Sequence, residues 1–234
     1  MIDTHCHLLF ALDDGPASLE DAIELAAGLQ AGGVTAVLCT PHYSDLFLTD
    51  HAEATERLAR LRPALEAAGV PLRVELAAEI GPRQTLRAPI EELVTRSVGG
   101  RFLIVEVQPD TPLAFFEGAS ARLSEVGLTP VFAHPERCRA VWRRPRALAA
   151  AREAGGLVQV VAPSLTGSWG GGAAQTAWNL LGGELVDLVA SDAHGRNRPP
   201  ELAEAAALVV ERLGEDVATQ LTQRGPARLL ATLD

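Results

Sequence analysis

The chain has 234 residues, 47% of them hydrophobic, and a formal charge of −10 at pH 7. That length and apolar content suit a globular chain with a substantial core rather than a disordered one, and the negative charge argues against nucleic acid as a partner. No run of about 18 apolar residues suggests membrane insertion, no basic-then-apolar N-terminus suggests a signal peptide, and three cysteines (Cys6, Cys39 and Cys138) are too few for a disulfide framework, which points to a reducing cytoplasm.

Residues 2–7 read as the first strand, with His5 and His7 at its end; alternation puts both imidazoles on one face. Ser18 followed by Leu19-Glu20-Asp21 is an N-cap with acids in the first turn. It opens a helix to about residue 30 that Gly32-Gly33 stops. Residues 34–40 form a continuous apolar strand, as expected when both faces are covered, and lead into Pro41-His42-Tyr43. A helix over 52–68 precedes a third strand, 72–79, which ends at Glu79. A short helix over 89–96 precedes a fourth strand, 102–107, which carries Glu106. A helix over 113–126 leads to the fifth strand, 129–134, ending at His134-Pro135-Glu136-Arg137. A helix over 145–154 leads to the sixth strand, 157–162. Residues 167–172 are glycine-rich and read as a flexible loop. A helix over 174–181 precedes the seventh strand, 186–191, which ends in Asp192-Ala193-His194; helices over 202–213 and 216–223 follow. Seven β-then-α units imply parallel strands covered by helices, as a barrel or a doubly wound sheet. In either, the site lies at the carboxyl ends of the strands.

Every histidine except His51 falls at such an end: His5, His7, His42, His134 and His194. Glu79, Glu106 and Asp192 fall with them, and Asp14 lies in the acidic turn Asp13-Asp14-Gly15 after the first strand. Nine nitrogen and oxygen donors are too many for one ion and suit two or three divalent ions, chosen from Mn, Fe, Zn, Co and Mg, rather than a structural thiolate zinc. Such clusters activate water or hydroxide and clamp phosphoryl oxygens. Arg137 and Arg198 each follow a ligand-bearing strand and suit bidentate phosphate binding; Arg139, Arg143, Arg144 and Arg196 read as surface charge, with Arg196 a competitor for Arg198.

Taken together, Asp3-Thr4-His5-Cys6-His7, Asp13-Asp14-Gly15, Thr40-Pro41-His42-Tyr43, Ala78-Glu79-Ile80, His134-Pro135-Glu136-Arg137 and Ser191-Asp192-Ala193-His194 resemble the polymerase and histidinol phosphatase (PHP) superfamily. The pattern is most similar to its bacterial manganese-dependent protein-tyrosine phosphatases of capsular and exopolysaccharide biosynthesis. The resemblance implies a distorted seven-stranded β/α barrel, one domain over residues 1–234, with a trinuclear site. It implies that His5, His7, Glu79 and Asp192 hold one metal, that Glu79 bridges to a second held by Glu106 and His134, and that Asp14, His42 and His194 serve a third. It also implies hydrolysis of phosphotyrosine on a separate protein, a bacterial tyrosine kinase, by a metal-bridging hydroxide. Arg137 and Arg198 would bind phosphate, and His42 or His194 would assist the leaving group. Homo-oligomerisation stays open.

Three rival readings have residues behind them. Cys138 and Arg144 match the Cys-x5-Arg spacing of thiolate-dependent tyrosine phosphatases, although Val141 and Trp142 crowd a loop that needs small residues. A PHP phosphoesterase could act on a small ester such as histidinol phosphate. A non-catalytic metal-dependent regulator would use the same barrel, but the full ligand set argues against it. Tyr43, Phe47 and Trp169 are candidates for an aromatic mouth.

Overall fold

Nine short strands run through the computed structural model, which describes residues 1–233. They are β1 (Ile2–Cys6), β2 (Ala36–Cys39), β3 (His42–Tyr43), β4 (Arg73–Leu76), β5 (Glu79–Ile80), β6 (Phe102–Glu106), β7 (Thr129–Ala133), β8 (Leu157–Val161) and β9 (Leu188–Ala190). All paired strands are parallel, with helices in the connections, so the β-then-α alternation read from the sequence holds. The single seven-stranded barrel does not appear as one ladder. The strands form a three-stranded sheet in the order β1-β2-β4 and a six-stranded sheet in the order β3-β5-β6-β7-β8-β9.

The division falls where two of the expected strands are interrupted. Residues 34–40 and their continuation become β2 and β3, split at Thr40-Pro41, and residues 72–79 become β4 and β5. Pro41 has no amide to donate, but its carbonyl accepts from the Glu79 amide (3.1 Å) and the Cys39 carbonyl from the Ala77 amide (2.9 Å). The first halves pair back to β1 and the second halves pair onward to β6. After β9 the chain returns to β1: the Asp192 amide donates to the His5 carbonyl and the His7 amide to the Ala193 carbonyl, both at 2.9 Å.

Alternation along the strands separates two apolar clusters. Leu103 and Val105 of β6 face the large core shared with the covering helices. Phe102 and Ile104 face a smaller cluster that gathers Ala36 and Leu38 from one sheet, Val131 and Leu188 from the other, and Leu229 and Leu230 of a C-terminal helix, Gly225–Leu230. That helix, Pro82–Arg87 and Arg139–Arg143 were not read from the sequence. The glycine-rich stretch is a loop over its first four residues, as expected, set between a short helix Ala162–Thr166 and the helix Gly171–Gly182 that takes in its last two. Only residues 167–170 turn, between Gly167 (φ 93°) and Gly170 (φ 87°). Ser18 caps Leu19–Ala31 as expected, accepting from the Asp21 amide. Among the described residues no helix is long and apolar enough to cross a membrane.

Candidate metal centre

The carboxyl ends of the strands bring all nine predicted donors together. Their ligand atoms fall into four overlapping groups, each within 4.8 Å: His5, His7 and Asp192; His5, Glu79 and His134; His42, Glu79 and Glu106; and His7, Asp14, His42 and His194. His51, at the start of the helix His51–Ala67, is in none of these groups. Glu106 shares a group with His42, whereas His134 shares one with His5.

Glu79 lies at the centre and is fully buried. The register that pairs His42 with Glu79, and Glu79 with Ile104, places it between its neighbours. Its Oε1 is 2.7 Å from His134 Nε2, and its Oε2 is 2.9 Å from His42 Nδ1, 3.4 Å from His7 Nε2 and 3.5 Å from His5 Nε2. Asp192 approaches from the other side, with Oδ1 3.6 Å from His5 Nε2 and 3.7 Å from His7 Nε2. Asp14 Oδ1 is 3.1 Å from His194 Nε2 and 3.5 Å from His42 Nε2. His134 (φ 42°) and Asp192 (φ 52°) both adopt left-handed backbone, a conformation that histidine and aspartate enter more readily than most residues.

Residues the sequence reading did not assign orient this set. The His5 Nδ1–H donates to Gln159 Oε1 (2.9 Å), and Gln159 is held in turn by donating to Thr4 Oγ1 (2.8 Å). The His7 Nδ1–H donates to Asp13 Oδ2 (2.7 Å), which also accepts from the His42 amide (2.9 Å). Engaging Nδ1 leaves each Nε2 lone pair aimed at the cluster, the usual outer support of a metal-binding histidine. Asp3 ties the two ends of the chain together, accepting from the Ser191 amide (2.9 Å) and the His5 amide (3.3 Å). Gly15 belongs to the same frame, because a Cβ there would lie 2.5 Å from the His7 carbonyl. Gln159 did leave a signal, as a lone polar residue inside the apolar run Leu157–Val161.

The electrostatics follow from burying several imidazoles and carboxylates in one place. Burial by itself would lower His7 and His42; Asp13 acting on His7, and Glu79 acting on His42, outweigh it and carry both up to about 9. Burial also opposes protonation of His5, but Glu79 and Asp192 raise it. For His194, burial and then the neighbouring His7 prevail, and it falls to about 4; burial and Arg137 lower His134. Burial would push Glu79 and Asp192 up, but the imidazoles hold both well below the usual carboxylate range. Burial and the charge on Glu79 raise Glu106.

A metal ion must displace the protons on His7 and His42. Metal binding should therefore release protons at pH 7 and tighten as pH rises toward about 9. Titration calorimetry in buffers of different ionisation enthalpy measures this directly; metal affinity independent of pH between 6 and 9 would contradict it.

The donor set also passes a test of fit. Glu79 Oε2, His42 Nδ1, His134 Nδ1 and His194 Nε2 are buried without a well-formed hydrogen bond. Buried polar atoms rarely stay unpartnered unless something else satisfies them. All nine donors are nitrogen or oxygen, which suits divalent ions of borderline or hard character.

Two arginines stand at the edge of the cluster. Arg198 Nη2 donates to Asp192 Oδ2 (2.7 Å) and Nη1 to Asp14 Oδ2 (3.3 Å), and Arg137 Nη1 reaches the same Asp192 Oδ2 at 3.4 Å. Trp169 lies against both guanidinium groups, its ring centroid 4.0 Å from Arg137 Cζ and 5.1 Å from Arg198 Cζ. Arg196 instead forms a forked pair with Glu24 at 2.6–3.2 Å and stays out of the cluster. A cavity of about 500 Å³ opens beside Asp14, His194 and Arg198.

Of the other candidate aromatics, Phe47 stacks on His42, with ring centroids 5.5 Å apart. Tyr43 is turned to Glu92 and covered by Arg96, so it does not line the mouth. Cys138 is fully buried with its thiol donating to the Thr111 carbonyl (3.2 Å), and the backbone after it is the helix Arg139–Arg143 rather than an anion-wrapping loop. This removes the thiolate reading. Replacing Cys138 by serine should leave phosphotyrosine-peptide turnover within about twofold, a change too small for a lost nucleophile; steady-state kinetics on the folded variant decides it.

Comparison with known proteins places the whole chain. The family model for capsular polysaccharide synthesis, CpsB/CapC, matches residues 1–231. The tyrosine-protein phosphatase YwqE of Bacillus subtilis is 29% identical over 226 residues, 95% of this chain and 89% of that protein. The tyrosine-protein phosphatase CpsB of Streptococcus pneumoniae is 27% identical, covering 98% of each. A solved structure from the study of these two proteins, described as unique metal-dependent tyrosine phosphatases, superposes with a TM-score of 0.86 at 27% identity, over 99% of this chain and 95% of that one. A zinc-bound histidinol phosphate phosphatase from Lactococcus lactis shares the fold at 13% identity, with a TM-score of 0.56 over 91% of this chain and 93% of that one.

Proposed function

This chain belongs to the capsular polysaccharide synthesis family CpsB/CapC, and from that membership and the geometry of the cluster we infer that it is a metal-dependent tyrosine phosphatase, a phosphoric monoester hydrolase. The observation that carries this reading is the buried Glu79 carboxylate ringed by four imidazoles, with two guanidinium groups meeting on the adjoining Asp192.

Two to three divalent ions, manganese before iron, zinc, cobalt or magnesium, fit the donors. His5, His7 and Asp192 would hold one with Glu79; Glu79 would be shared with a second, toward Glu106 with His42 or His134; Asp14, His42 and His194 would take a third. When bound, such ions activate water for in-line attack on phosphorus and polarise the phosphoryl oxygens. Arg137 and Arg198 supply planar donors to those oxygens, in the place now taken by Asp192 Oδ2. Tyrosine leaves as a phenol of pKa about 10, so little acid assistance is needed. A proton for the leaving phenol would come from whichever of His42 and His194 is left uncommitted to metal.

The substrate in this reading is phosphotyrosine on a separate protein, a bacterial tyrosine kinase of polysaccharide biosynthesis, and the enzyme works in the cytoplasm. Residues 1–234 form one domain. The two sheets are read as one distorted barrel of seven staves, counting β2 with β3 and β4 with β5; the hydrogen bonds between β1 and the segment after β9 support this.

The test pairs elemental analysis of protein purified without chelator with hydrolysis of a phosphotyrosine peptide before and after chelation. Two to three ions per chain, with activity lost on chelation and restored by Mn²⁺, is the expected result. Metal without peptide hydrolysis would redirect the reading to small phosphate esters, and chelator-resistant activity would overturn it.

A further inference from the structure

The chain carries 30 acidic and 20 basic residues, and many of its exposed or half-buried arginines are matched to a carboxylate: Arg57 to Glu53, Arg62 to Glu75, Arg83 to Asp45, Arg152 to Asp187 and Arg196 to Glu24. One segment departs from this. Arg139, Arg143, Arg144 and Arg146 fall within eight residues, all four are exposed, and none forms an ion pair with any described residue. No Asp or Glu occurs between Glu136 and Glu153. Asp110, on the loop whose Pro109 carbonyl accepts from the Arg139 amide, is exposed as well and pairs with none of them. Trp142, 43% exposed, lies among these arginines.

The segment is anchored to the metal-centre rim. It continues directly from the turn Pro135–Arg137 that carries Arg137. The Trp142 indole N–H donates to the Glu136 carbonyl, and its ring packs so close to Gly172 that a Cβ there would lie 2.9 Å away. Exposed arginine and tryptophan are residue types that protein interfaces concentrate.

We propose that Arg139, Arg143, Arg144 and Arg146, with Trp142, form a docking surface for an anionic stretch of the phosphotyrosine-bearing protein. The proposal rests on the phosphatase reading and adds what flanks the phosphotyrosine: acidic side chains. Arg139 follows Arg137 by two residues, so the recognised anions belong to the chain immediately flanking the phosphotyrosine. A peptide fits better than an anionic bilayer or nucleic acid, because the net charge of −10 would repel a large polyanion while a short acidic segment meets only this surface.

The experiment compares three substrates on the metal-loaded full chain: a phosphotyrosine peptide with acidic flanks, the same peptide with neutral flanks, and free phosphotyrosine. Each is measured with the unaltered protein and with a variant carrying Arg139→Gln, Arg143→Gln, Arg144→Gln and Arg146→Gln. At low ionic strength the acidic peptide should have a KM about tenfold below the neutral one. The variant and high salt should each erase that preference, with free phosphotyrosine unaffected. No preference in the unaltered protein, or one that survives the four substitutions, overturns the proposal. So does binding of the patch to vesicles containing phosphatidylserine with no peptide preference. Fluorescence anisotropy with the same peptides separates this proposal from the reading beneath it. Tighter binding of the acidic peptide without hydrolysis would remove the phosphatase and keep the docking surface.

Discussion

Replacing Glu79 by glutamine should remove at least one metal ion per chain and lower phosphotyrosine-peptide turnover by about 10³-fold or more, corresponding to about 4 kcal/mol of transition-state stabilisation. The substitution keeps the shape and deletes the charge. In the native arrangement that one buried carboxylate faces four imidazoles at 2.7–3.5 Å. It lies in two of the four groups of candidate ligands. A glutamine has one acceptor oxygen and would turn its N–H groups toward ring nitrogens whose lone pairs a metal needs. His5 and His42 also lose the charge that raises their proton affinity, so they can become neutral and the fold need not fail with the site. Elemental analysis beside peptide kinetics measures both effects; a full metal complement with retained activity would sink the central role assigned to this residue.

The second large effect is expected at the arginine pair. Arg198→Ala should lower kcat/KM by about 10²-fold, the scale for losing an oriented donor to a developing negative charge, while metal content stays unchanged. Arg198→Lys should recover only part of this, because an ammonium cannot present two parallel donors to one phosphoryl group. Arg137→Ala should act in the same direction. Because both guanidinium groups converge on Asp192 Oδ2 and share the face of Trp169, the double variant should cost less than the sum of the single ones. Arg196→Ala is the internal control: its guanidinium is engaged by Glu24, so kcat/KM should change less than about twofold. Equal losses at Arg196 and Arg198 would refute the assignment.

Metal chemistry was legible early because it depends on which side chains sit at strand ends. Five of six histidines and three carboxylates occupy those positions in the sequence, with Asp14 in the turn that follows the first strand. In a parallel β/α chain all strand ends face one rim, so convergence followed from topology without coordinates. The support of those ligands was far less legible. Gln159 meets His5 across 154 positions of chain, and Asp3 meets Ser191 across 188. Contacts of that span depend on strand register and on the closing segment after β9. Neither leaves a periodic trace in the sequence.

Composition and spacing by themselves determined the class of fold, the nitrogen and oxygen types of the clustered side chains, and the placing of Arg137 and Arg198 just after strands that bear them. They rest on local rules: alternation, capping, turn residues and strand-to-helix order. Only the tertiary structure decided that Arg198 rather than Arg196 reaches the cluster, that Cys138 is sealed in the core, that Tyr43 turns away from the mouth, and that the expected strand ladder divides into two sheets at Thr40-Pro41. Each of these turns on which of several chemically competent partners a side chain or backbone amide meets in space. That choice is set by packing the whole chain at once, which no short window of sequence contains.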